Sequence, residues 1–141
     1  MRDREGLLEV LVEEIEQFIR AKREDGSLKQ SIAALETALN CVVEASVWLK
    51  SAAQLDANEI GAASVPYLRL MTLALYAFMW TRMESAAHEG LANNIGNTRF
   101  YEAKLKTASF FRARIMPSAA ALVAEIKGGS GSLMAMDADQ F

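Results

Sequence analysis

Few residues in this sequence are suited to chemistry, because it contains one histidine and one cysteine. Glu84 and His88 lie four residues apart, so on a helix they share one face. A pair is too small a ligand set for zinc, and a di-iron centre needs a Glu-x-x-His motif on each of two helices. A nucleophilic serine or Cys41 would need a base and an orienting acid, and no known signature surrounds either. We therefore predict neither a catalytic residue nor a metal site.

The composition argues against further classes of function. No glycine-rich loop lies between a strand and a helix, so the fingerprints of nucleotide cofactor sites are absent. The formal net charge of −3 gives no basic face for nucleic acid. The single cysteine fits a reducing compartment, and the charged start, MRDRE, has no apolar signal core. We predict no cofactor in this chain, no nucleic-acid partner and a cytoplasmic location.

The elements that would position any site are helices. Of the 141 residues, 52% are hydrophobic and only two are prolines. Apolar periodicity predicts one all-α domain, an antiparallel up-down four-helix bundle with a short apolar C-terminal tail. Ser27 and Thr98 are predicted to cap the second and fourth helices, and Pro117 to bend the fourth. The predicted helices cover about 5–24, 28–54, 58–89 and 99–127, and the tail covers 128–141.

The second predicted helix has the clearest period. Its apolar positions alternate steps of four and three, which is the heptad seam of helices packed nearly parallel in a bundle or coiled coil. An independent module that dimerises through this seam is therefore one alternative function. The seam comprises Leu28, Ile32, Leu35, Leu39, Val42, Ser46, Leu49 and Ala53.

The third predicted helix contains an apolar run, from Val65 to Trp80, with a single charged residue, Arg69. A membrane span needs about 20 consecutive apolar residues, so we predict no membrane span here and a helix that is buried on nearly all sides. A buried guanidinium needs a partner, and Glu44 or Glu36 on the second helix can supply it. We therefore predict a buried structural ion pair between Arg69 and Glu44, with Glu36 as the other candidate.

The C-terminal residues are unusual because an apolar segment follows a glycine-rich break, GGSGS. The segment is too short to fold alone. We predict that it docks into a groove of the bundle, against the remainder of a larger protein, or against a second subunit. A frayed terminus is the alternative. The apolar residues of this docking tail are Leu133, Met134, Met136 and Phe141.

The segment AAHEGLANNIG resembles the phosphate-accepting region of histidine-phosphotransfer domains, which are also four-helix bundles. In that family a lysine, a glycine and small residues follow an exposed histidine. Here Gly90 comes two residues after His88 instead of four, and Glu89 stands where a positive charge would help a phosphate. The resemblance implies a signalling bundle that uses His88, which is a second alternative function.

The fourth predicted helix and the tail resemble the end of a bacterial acyl-CoA dehydrogenase, in the extra C-terminal domain that some of these flavoenzymes carry. The earlier segment SVPYLRLMTLALYAFMW is similar to the central helix of the same domain. The likeness covers roughly Ser31 to Phe141. Its matching features are Phe100–Tyr101, Lys104, Ala108, Phe110, Pro117, Leu122, Ile126, Gly128–Gly129 and Leu133–Met134.

This resemblance implies a role within a larger enzyme. Acyl-CoA dehydrogenases use FAD to oxidise the Cα–Cβ bond of an acyl thioester: a glutamate removes the α proton and the β hydride passes to the flavin. FAD and substrate bind between a helical body and a β-barrel domain, for which this sequence has no strand-rich stretch. The resemblance thus implies a non-catalytic C-terminal domain with a structural, substrate-shielding or oligomerisation role. It further implies that the remainder of the enzyme is the partner, that FAD belongs to that parent enzyme, and that the assembly is a homo-oligomer.

Overall fold

The computed structural model describes residues 6–140, which form helices and turns without a strand. The all-α prediction is therefore confirmed. A 3₁₀ turn, Gly26–Leu28, leads into the second helix, and a π-helical turn, Phe111–Ile115, separates the last two long helical segments. The helices are α1 (Leu7–Lys22), α2 (Lys29–Leu55), α3 (Asn58–Ala92), α4 (Thr98–Phe110) and α5 (Ser118–Lys127).

The predicted caps Ser27 and Thr98 are wrong: Asp25 caps the 3₁₀ turn that precedes α2, no side chain caps α2 itself, and Asn97 caps α4. Asp25 accepts hydrogen bonds from the backbone N–H of Ser27 at 3.0 Å and from its hydroxyl at 2.6 Å. The hydroxyl is the main cause that holds the pKa of Asp25 below its usual value. Asn97 accepts from the N–H of Phe100 at 3.4 Å. An Asx oxygen just before a helix reaches the unpaired N–H groups of its first turn, which explains the correction.

The core lies between α2 and α3, with α5 packed on both and α1 packed on α2. Every position of the α2 seam from Leu28 to Leu49 is buried, and only Ala53 near the end of the helix is half-buried. The seam is therefore covered by the chain itself. Because buried side chains are not available to a second copy, the structure contradicts the alternative of a module that dimerises through this seam.

Helix α3 is not buried on nearly all sides, contrary to the prediction. Leu70, Ala74 and Phe78 are buried on one side of the helix, whereas Leu68 and Tyr76 are exposed on another. Its neighbours α2, α4 and α5 leave this second side uncovered. An apolar run on a helix therefore supplies both core and surface here.

The predicted fourth helix is divided into two. At Phe111 the α-helical pattern of α4 gives way to one π-helical turn, in which the N–H of Met116 donates to the carbonyl of Phe111 at 3.0 Å. Pro117 follows and leads into α5, because a proline lacks an N–H but is tolerated at the start of a helix. The break is centred a few residues before the predicted bend.

Two helical stretches are long and apolar enough to cross a membrane if length and composition alone are considered. They are Gly26–Leu55 and Asn58–Ala92. Both stretches also supply most of the core, and the core helix of a compact bundle meets the same criterion. The absence of a membrane span therefore stays a prediction.

Candidate docking surfaces and a buried ion pair

A buried polar cluster joins Ser31 of α2, Glu84 of α3 and Arg112 of the π-helical turn. Glu84 is 5% exposed, and Nη1 of Arg112 donates to both of its carboxylate oxygens at 2.7 Å. The same nitrogen lies 2.6 Å from Oγ of Ser31, whose hydroxyl donates in turn to Glu84. A charge can be buried at acceptable cost only when it is paired and hydrogen-bonded. The cluster therefore ties three distant segments together and leaves Glu84 committed to structure.

The predicted ion pair between Arg69 and Glu44 is wrong, because the two side chains do not contact each other as a pair. Arg69 is exposed and forms no ion pair with any residue that the structure describes. Glu44 instead pairs with Lys127 in the last turn of α5, at 2.5 Å, and the other candidate, Glu36, pairs with Arg23 at 2.5 Å. Arg69 lies on the uncovered side of α3, so within the single chain it stays exposed to water and needs no counter-charge. The arginine that pairs with a buried carboxylate in the described part of the chain is the largely buried Arg112.

The root of the tail is fixed by a second polar cluster, the tail latch, formed by Ser130, Asp56 and Glu59. The buried hydroxyl of Ser130 lies 2.9 Å from Oδ2 of Asp56 and 2.9 Å from Oε1 of Glu59, and its N–H lies 3.1 Å from Oε1 of Glu59. The N–H of Asn58 and then the Ser130 hydroxyl hold the pKa of Asp56 below its usual value. Gly129 reaches the latch with a φ of 72°, a conformation that favours glycine.

Beyond the latch, the tail exposes its apolar side chains. Leu133, Met134 and Met136 are each more than half exposed. The first two border a shallow groove with Gly61 near the start of α3. Phe141 lies outside the residues that the structure describes. A groove of this chain therefore does not bury the three described side chains, and docking against another protein surface stays a prediction.

The surroundings of His88 give the neighbouring glycine a packing role. His88 is half-buried, and the adjacent Glu89 pairs with Lys22 at 3.0 Å, which lowers the pKa of that carboxyl. The ring of Tyr101 lies so close to Gly90 that a Cβ there would be 2.5 Å from a ring carbon. The glycine thus admits α4 against α3. None of these contacts favours a phosphate acceptor at His88.

The remaining reactive side chains are not assembled into a site. Cys41 is half-buried, and this burial raises the pKa of its thiol, so the reactive thiolate is disfavoured. Within residues 6–140, no three of the histidine, cysteine, aspartate and glutamate side chains are placed so that they could hold a metal ion. What the described surface offers instead is apolar area on α3 and the tail.

Comparison with known proteins gives one family. No curated protein matches the chain. The model of a family described as "Acetyl-CoA dehydrogenase C-terminal like" matches residues 11–137, which is nearly the whole chain. The match agrees with the resemblance seen in the fourth predicted helix and the tail, and extends it over most of α1. The chain belongs to the acetyl-CoA dehydrogenase C-terminal-like family.

Proposed function

We propose that this chain is the C-terminal helical domain of an FAD-dependent acyl-CoA dehydrogenase and that it serves assembly, not catalysis. The observation that carries the proposal is the family match over residues 11–137. The structure adds an all-helical fold in which Glu84, the one buried carboxylate among residues 6–140, is held by Arg112. A general base must reach its substrate proton. Glu84 is enclosed, so the α,β-dehydrogenation is assigned to the remainder of the enzyme.

The residues that the structure describes do not fit FAD. They include no strand followed by a glycine-rich turn to hold a pyrophosphate. FAD therefore belongs to the parent enzyme in this proposal, and no step of its chemistry is derived from this chain. The cytoplasmic location is likewise part of the proposal, supported by the single cysteine, which fits a reducing compartment.

The up-down antiparallel order of the helices is also proposed. The connections are short: two residues join α2 to α3, and five join α3 to α4. Short connections favour antiparallel neighbours, because the chain must turn back at once. In such a bundle the tail root, held by Asp56 and Glu59, lies at the end of the bundle where α2 passes into α3.

The tail is proposed to dock on the body of the enzyme. The latch fixes its root at Ser130, so ordering the rest costs less conformational entropy than ordering a free terminus would. Full burial of Leu133, Met134 and Met136 would contribute about 1.5–3 kcal/mol each before that cost is subtracted. Methionine adapts to irregular surfaces, which suits such a contact.

The proposal is tested by isolating the native polypeptide that carries this sequence, with an antibody against the chain. We expect a flavoprotein whose visible absorbance bleaches when an acyl-CoA is added without oxygen. Removal of residues 131–141 should weaken the contact with the enzyme body while the unfolding of the isolated chain stays unchanged, because Leu133, Met134 and Met136 are exposed. A colourless chain of this length that copurifies with no flavoprotein would contradict the proposal.

A further inference from the structure

The uncovered side of α3 carries apolar residues in a symmetric order. Val65 and Met79 each lie seven residues from Thr72, and Leu68 and Tyr76 each lie four residues from it. Steps of four and seven return to the same face of a helix. These side chains are exposed by 56% (Val65), 47% (Met79), 68% (Leu68) and 55% (Tyr76). We call this surface the α3 stripe.

The symmetry of the stripe matches the requirement of a twofold interface. In such an interface one patch contacts the same patch on a second copy. When the two helices are antiparallel, each residue faces the residue that lies equally far on the other side of the axis, so these two residues must suit each other. A twofold axis at Thr72 would place Val65 opposite Met79 of the second copy and Leu68 opposite Tyr76. Each contact then joins two apolar side chains. We propose that two copies of this chain pair through the α3 stripe, with the two α3 helices antiparallel about Thr72.

The centre of the stripe allows a close approach. Thr72 is small, and its hydroxyl donates to the carbonyl of Leu68 at 2.8 Å, so it keeps a hydrogen bond when water is excluded. Beside Leu68 and Thr72 runs an open groove lined also by Ser118 and Leu122 at the start of α5. A stable interface needs about 800 Å² from each partner, more than four side chains supply. The groove must therefore take part in the contact.

The charges along α3 are compatible with this pairing. Between Glu59 and Glu84 the helix has no carboxylate, and its two cations are Arg69 and Arg82. Arg69 is three residues from the axis, so the Arg69 residues of the two copies would lie about 9 Å apart along the helices. Each would lie close to Tyr76 of the other copy. An arginine over a tyrosine ring is attractive. Arg82 is far from the axis and already lies 5.5 Å from the ring centre of Phe78.

The first test measures the mass of the 141-residue chain by sedimentation equilibrium from micromolar to submillimolar concentration. We expect a dimer, and we expect Leu68→Glu to weaken self-association at least a hundredfold, because a carboxylate would be desolvated without a partner. The matched control is Val47→Glu, at a similarly exposed position on α2, which should leave the dimer intact. The helical signal and melting of monomeric Leu68→Glu should equal those of dilute wild-type chain, which separates a lost contact from a lost fold.

The second test measures the direction of pairing, with a short bismaleimide in a Cys41→Ser background. Thr72→Cys should cross-link to itself, because the axis passes through it. Val65→Cys should not, because the two copies lie about 21 Å apart along the helices. Cross-linking of both variants would indicate parallel pairing and overturn the proposal. A monomer at every concentration, or a dimer that survives Leu68→Glu, would overturn it as well, and a monomer would assign the stripe to the enzyme body. The pairing does not depend on the proposed function.

Discussion

Helices α2 and α3 are both long and apolar, yet they use their apolar residues differently. The seam of α2 is buried by the chain's own helices, whereas α3 has one buried side and one exposed stripe. Both stripes have the steps of three and four that indicate a packed helix face. Periodicity in a helix therefore identifies a face that will be covered but does not say by which molecule. For α3 that molecule is another protein chain in our account.

The largest effect is expected on the inner side of α3. Glu84→Ala should lower the free energy of unfolding by about 3–5 kcal/mol, because Arg112 would remain largely buried without its counter-charge. The matched control is Glu44→Ala, whose pair with Lys127 is largely exposed and should be worth at most about 1 kcal/mol. Urea unfolding of both variants gives the comparison. Equal losses would show that the buried cluster has no special role.

The next effect compares the α2 seam with the α3 stripe directly. Leu35→Ala should cost about 2–5 kcal/mol of unfolding free energy, because Leu35 is fully buried and the change leaves a cavity. Leu68→Ala should change the stability of the dilute, monomeric chain by no more than about 0.5 kcal/mol. Chemical denaturation at a fixed low concentration measures both. A loss at Leu68 as large as that at Leu35 would mean that the stripe is part of the folded core.

A third comparison uses two glycines of α3. Gly90→Ala should destabilise the chain by about 1–3 kcal/mol, because the added methyl group would overlap the Tyr101 ring. Gly61→Ala is the matched control: nothing lies within 4 Å of its Cβ position, and alanine favours a helix by about 0.5–1 kcal/mol. Thermal unfolding should therefore shift in opposite directions for the two variants. Shifts of the same sign would contradict the assigned packing.

The smallest effect concerns the tail latch and its pH dependence. A carboxyl group whose pKa is lowered by folding stabilises the folded form above its unfolded pKa and ceases to do so as the pH falls through its folded pKa. Asp56 should therefore hold Ser130 at neutral pH and release it at a pH below the ordinary aspartate value of about 3.9. Backbone NMR relaxation of the Leu133 amide should report this loosening. In Ser130→Ala the tail should already be looser at neutral pH. Unchanged relaxation of the Leu133 amide in this variant would show that the latch does not hold the tail.

Much of the fold follows from local features of the sequence. The helical stretches follow from apolar periodicity and alanine content, and the break before the tail follows from Gly128 and Gly129, the second of which has a positive φ. The caps predicted at Ser27 and Thr98 are wrong because Asp25 and Asn97, which are equally good caps, lie one or two residues before them. The choice between neighbouring caps depends on backbone geometry.

The buried cluster could not be predicted in the same way. Arg112 follows the buried Ala108 by four residues, so helical spacing places it on the inner face of the predicted fourth helix, but its partner Glu84 lies on another helix. The sequence therefore offers a signal for the burial of Arg112 and none for the residue that it pairs with. Apolar neighbours in sequence make Arg69 look buried, but the exposure of a residue is set by which helices pack against it. That information is tertiary.

The most direct test of the account is a methionine-oxidation footprint of the native polypeptide that carries this sequence, compared with the dilute isolated chain. In the isolated chain, Met79 on the stripe and Met134 in the tail should oxidise readily, and buried Met116 should oxidise slowly in both samples. We expect Met79 and Met134 to become strongly protected in the native assembly while Met116 is unchanged. Equal oxidation of Met79 and Met134 in the two samples would contradict the claim that these surfaces exist to bind protein.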